Sequence, residues 1–97
     1  MEHLGYLAEE LEEELDGAEN YAKMACKHRE SHPNFAKHLH EMAMDEMRHG
    51  MYISDAAHDY IKEHPDHPEY KQVWDFVSRH ADKQIARVNE MLAKFRG

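Results

Sequence analysis

The sequence is short of nearly everything that builds a covalently braced or membrane-embedded protein. It has one cysteine, Cys26, in 97 residues. No internal disulfide can form and no Cys-x-x-Cys exists, which excludes zinc ribbons and rubredoxin-type centres and agrees with a reducing, cytoplasmic setting. Apolar runs are only a few residues long, far below the roughly 20 that a spanning helix needs, so no membrane partner is expected. Positive charge is outnumbered, 12 Lys and Arg against 20 Asp and Glu, for a formal charge of −8. A surface of that sign repels phosphates and argues against nucleic acid, while it attracts cations. Glu9, Glu10, Glu12, Glu13 and Glu14 crowd the start, where a signal peptide needs an apolar stretch. Three prolines and four glycines leave little turn material, and no strand-like alternation or hairpin signal appears.

What remains is helix. Charged residues at 33% and hydrophobic residues at 41% suit amphipathic helices. A chain of this length predicts a single domain with a thin core, of the kind that leans on a metal or a partner chain. Pro33, Pro65 and Pro68 cut it into three segments, predicted as helices over about 4–30, 34–63 and 68–95, with Pro33 and Pro68 at the first helical positions. Lys27, His28 and Arg29 close the first helix and Lys94 and Arg96 the third, as the helix dipole prefers. The first two helices would be roughly 40–45 Å long. Joined by short turns, such helices must run antiparallel, so the fold class is all-α, a bundle.

Periodicity and chemistry then collide. A 3-4 spacing along the first helix picks out Leu4, Leu7, Leu11, Glu14, Ala18, Tyr21 and Ala25. Along the second it picks out Phe35, Leu39, Met42, Glu46, His49, Ile53, Ala56 and Tyr60. Each seam is apolar at both ends and polar in the middle. A buried carboxylate without a partner costs several kcal/mol, so three polar residues at matching depth need something to satisfy them. A cation would serve all three, and carboxylates with an imidazole suit iron, manganese or zinc. Glu46 and His49 form a Glu-x-x-His pair on one helix face. Di-iron carboxylate bundles use two single Glu residues and two Glu-x-x-His pairs. This chain supplies one of each, so two chains about a two-fold axis would supply the whole set. The competing reading is a metal-free polar layer with His49 bonded to Glu14 or Glu46, in a helical scaffold or interaction protein. Zinc on the same residues lies between the two.

Glu14 with Tyr21 seven residues later, and Glu41-Met42-Ala43-Met44-Asp45-Glu46-Met47-Arg48-His49, resemble the first half of the rubrerythrin-type ferritin-like bundle. The resemblance covers about residues 11–53. It implies a di-iron centre on Glu14, Glu46 and His49, a ferroxidase or an O₂- or peroxide-reducing activity, and those three residues as the catalytic set. The departures are a third helix without Glu-x-x-His, whose seam reads Trp74, Val77, Ala81, Gln84, Val88, Met91 and Phe95, and the lack of a rubredoxin-like domain. A half-bundle completed by a homodimer, or by a larger even-numbered homo-oligomer, is similar to the encapsulated ferritins. No clear encapsulin-targeting tail is present.

The remaining features read as structure. His28, His32, His38, His40, His58, His64 and His67 are expected on turns and outer faces, with a secondary metal site as the alternative. Met24, Met42, Met44, Met47 and Met51 are expected as flexible core filler. Glu41 is expected as a surface acid or an outer partner of the ligands, and Tyr21 as a core ring whose hydroxyl reaches a ligand carboxylate. Gly17 and Gly50 either allow close helix approach or are simply tolerated at exposed positions, at about 1 kcal/mol each relative to alanine.

Overall fold

Three prolines set the helix boundaries in the computed structural model, which describes residues 2–97. The helices are α1 (Glu2–His28), α2 (Pro33–Lys62) and α3 (Glu69–Arg96), and no strand occurs among the described residues. Pro33 opens α2 at its first turn, where its missing N–H is no loss. Pro68 stands one residue outside α3, in the capping position, rather than inside the helix as expected. The α1–α2 turn is held by His32 N–H donating to the His28 carbonyl at 2.9 Å. The chain forms a rod of 54 × 17 × 16 Å. Its helix α1 is the middle element, packed along α2 on one flank and α3 on another, while α2 and α3 meet only marginally.

The α1–α2 seam is made of small residues. Leu4, Leu7, Leu11, Leu15, Ala18, Ala22 and Ala25 of α1 are buried, with Ala36, Leu39, Ala43, Gly50 and Ala57 of α2. A Cβ on Gly50 would meet Leu11 Cδ1 at 3.4 Å and Leu15 Cδ2 at 3.6 Å, so this glycine packs directly on the leucines of α1. On α2 this seam lies one residue away from the expected one. Phe35 (48% exposed) and Met42 (41%) face outward, as do His49 and Ala56. The physical reason is size: bulky Phe35 and Met42 would hold the backbones apart, whereas alanine and glycine let them close. Of the five methionines near the centre, Met47 packs against the core; Met24, Met42, Met44 and Met51 are exposed, against the core-filler expectation.

Helix α3 covers the other flank of α1. Trp74 and Tyr70 join the leucine cluster near one end of the rod, while Val88 and Leu92 pack on Ala18, Ala22 and Ala43. Gln84, the polar member of the expected third seam, donates to Asp16 at 2.8 Å and to Glu19 at 3.0 Å. Arg87 also bonds Glu19, at 3.1 Å, and with Gln84 it holds the Glu19 carboxyl below the usual range. Cys26 is half-buried and donates to the Met91 carbonyl at 3.3 Å.

His40 is not the surface residue expected. It is buried and stacked on Phe95, with ring centroids 4.5 Å apart. Burial, then the Arg96 charge, push its pKa down, so it packs as a neutral ring. His64 and His67 are half-buried as well, in a ring cluster with Tyr60 and Tyr70 at the far end of the rod. No helix among the described residues is long and apolar enough to cross a membrane.

Candidate metal centre

Glu14, Glu46 and His49 come together where α1 and α2 cross at mid-length. One donor atom from each lies within 4.8 Å of the others, and no second group of three or more His, Cys, Asp or Glu donors does so among the described residues. His49 Nδ1 stands 3.4 Å from Glu14 Oε2 and 4.0 Å from Glu46 Oε1. Two donors on one first-row transition metal lie roughly 3 Å apart, so the group is near the spacing that one ion needs. The three are less enclosed than a core seam predicts. The side chains of Glu14 and Glu46 are 24% and 27% exposed, and that of His49 is 47% exposed. They sit at the edge of the α1–α2 interface and open onto the face turned away from α3.

The electrostatics are those of a carboxylate pair short of positive charge. Glu14 Oε2 is buried and has no hydrogen-bond partner; His49, though close, forms none. A hydrogen bond shared with Glu14, then burial, then the Glu14 charge, push the Glu46 carboxyl up to about 7, against the pull of His49. Without a cation, therefore, the Glu46 carboxyl holds its proton more readily than a free carboxyl does. Gly17 lies one turn after Glu14, and the Glu46 carboxylate rests over it: a Cβ at that position would meet Glu46 Oε2 at 3.1 Å. An acceptor with no donor, a carboxyl driven toward its neutral form and a cleared space beside it all fit a divalent cation on these three residues.

The neighbours divide. Tyr21 is half-buried and packs against the Ala18–Ala22–Ala43 cluster. Glu41 is exposed and lies 3.9 Å from His38, as a surface acid. Tyr6 and Met24 of α1 and Phe35, Met42, Met44, Met51 and Tyr52 of α2 are apolar side chains left exposed along the same two helices. Sequence reasoning found the three donors through their heptad-like register. It did not find the seat at Gly17, because a glycine in a helix gives no sign of which side chain it faces. No family model, no curated protein and no solved structure matches this chain.

Proposed function

We propose that two copies of this chain pack through the open α1–α2 face and together hold a pair of metal ions on Glu14, Glu46 and His49 of each, forming a ferritin-like four-helix bundle. The protein is then a di-iron carboxylate protein that oxidises Fe(II) or reduces O₂ or peroxide. The carrying observation is the convergence of two carboxylates and an imidazole in a partly exposed group, on helices that also leave Tyr6, Met24, Phe35 and Met42 exposed. One chain offers three protein donors, fewer than a transition metal takes, and a single copy leaves Phe35 and Met42 in water. A second copy about a two-fold axis answers both. Glu14 and His49 would be the terminal ligands, and Glu46 would be the ligand shared by the two ions. When bound, an iron pair supplies redox chemistry and open positions for an oxidant. The chain's own part is to give up the proton held by the Glu46 carboxyl on loading, and to keep all three donors together.

The test is Fe(II) added anaerobically to the protein and then exposed to air, with ferric absorbance and O₂ uptake followed together. Oxidation well above the rate in buffer, lost in His49→Ala, is expected. Equal rates with and without protein overturn the redox reading. One observation favours a second reading: His49 Nδ1 stands 3.4 Å from Glu14 Oε2, so a protonated imidazole could answer the carboxylate without a metal. Tight binding of Zn²⁺ without Fe(II) oxidation selects a zinc-stabilised bundle, and no metal binding at all selects a helical scaffold.

A further inference from the structure

Four glycines are present, and three stand inside helices with different neighbours. Around Gly5 nothing lies within 4 Å of where a Cβ would be. Around Gly50 the neighbours are the leucine side chains of the core, at ordinary contact distances. Around Gly17 the three nearest atoms all belong to Glu46: Oε2 at 3.1 Å, Cδ at 3.5 Å and Cγ at 3.7 Å. In a helix the Cα–Cβ bond leans toward the N-terminus. A side chain at 17 would therefore lean toward the preceding turn, where the Glu46 carboxylate lies. Glycine in a helix interior is unfavourable, so its use at 17 has a local cost that close backbone packing does not account for, because no backbone atom is among its nearest contacts.

We infer that Gly17 is a positioning residue: the space left by its missing side chain seats the Glu46 carboxylate against α1 and sets how tightly the Glu14–Glu46–His49 group holds a divalent cation. The part concerning the cation rests on the metal reading above; the seating of Glu46 does not. Glu46 is long and can rotate, so a methyl group at 17 displaces its carboxylate by a few tenths of an ångström or more without unfolding the helix pair. Displacement of a ligand by its support commonly lowers metal affinity about 10- to 100-fold.

Gly17→Ala and Gly5→Ala separate this from a general effect of stiffening α1. Both replace glycine by a better helix former, so both leave the metal-free melting temperature at or above that of the wild type. Zn²⁺ alone serves as the calorimetric probe. Its affinity is expected to fall about tenfold or more in G17A and to stay unchanged in G5A. The side-chain ¹³C carboxyl resonance of Glu46 in the metal-free protein, at one fixed pH, moves in G17A and not in G5A. Unchanged Zn²⁺ affinity with an unmoved resonance in G17A overturns the inference, as does an equal loss of affinity in G5A. If the wild type takes up no Zn²⁺ while the Glu46 resonance moves in G17A, the metal reading fails and the seating of Glu46 by Gly17 stands.

Discussion

Glu46→Gln is expected to remove tight metal binding, weakening it at least about a hundredfold, and at the same time to make the metal-free protein more stable above pH 7. The two effects have one cause. In the folded protein the Glu46 carboxyl is pushed up to about 7 from 4.5, so folding favours its protonated form. That contribution is fully present below about pH 4.5 and is lost as the pH rises through about 7. At pH 8 the Glu46 carboxyl is therefore ionised beside a Glu14 oxygen that no donor reaches. A glutamine amide donates to Glu14 at every pH. The gain is on the order of 1–3 kcal/mol after allowing for partial solvent access, which is several degrees in melting temperature for a chain of this size. Melting curves of both proteins between pH 5 and 8, with EDTA and then with Zn²⁺, check it. The metal-free wild type should lose stability toward pH 8 and recover it with the cation, whereas E46Q should be flat in pH and indifferent to Zn²⁺. A wild type that is equally stable at pH 5 and 8 would contradict the strained carboxylate pair.

The double variant Met42→Glu/Ala56→Glu is expected to be a folded monomer. Both positions are exposed in the single chain, so neither charge disturbs the α1–α2 seam, and helicity should be unchanged. In a two-fold dimer built on this face, each substitution appears twice on a surface that loses its water. Like charges so placed cost about 4 kcal/mol or more, roughly a thousandfold in Kd. Metal affinity should fall with dimerisation, because Glu14, Glu46 and His49 remain intact in each chain but the partner's set is gone. Sedimentation of the variant at micromolar concentration reads the first effect, and metal titration reads the second. A variant that still dimerises, or a monomeric one that binds metal like the wild type, would place the contact elsewhere.

The number of helices and their turns were legible because proline acts locally: Pro33 and the Pro65–Pro68 stretch stop a helix whatever surrounds them. The donors of the centre were legible because register is also local. A Glu-x-x-His pair and a glutamate on a neighbouring helix can be aligned by counting. Which face of α2 turns inward was not legible, because it depends on how closely two helices approach. Taking large apolar residues as core markers selected Phe35, Leu39 and Met42, whereas the chain buries Ala36, Leu39, Ala43 and Gly50. Half of the stripe expected to fill the chain's own interior, Phe35, Met42, His49 and Ala56, is instead outer surface, and this is what gives the dimer reading its physical motive. His40 was misplaced for a related reason. Nothing in its neighbourhood announces that Phe95, 55 residues later, comes back to cover it.

The central claim is that the metal centre belongs to two chains at once. Native mass spectrometry of the protein loaded with Fe(II) without oxygen, and separately with Zn²⁺, tests it in one step by giving assembly size and bound metal together. Dimers or assemblies of dimers carrying roughly one metal ion per chain are expected, with H49A carrying none. A monomer holding its own metal ion, or a folded dimer that takes up neither metal, would contradict it.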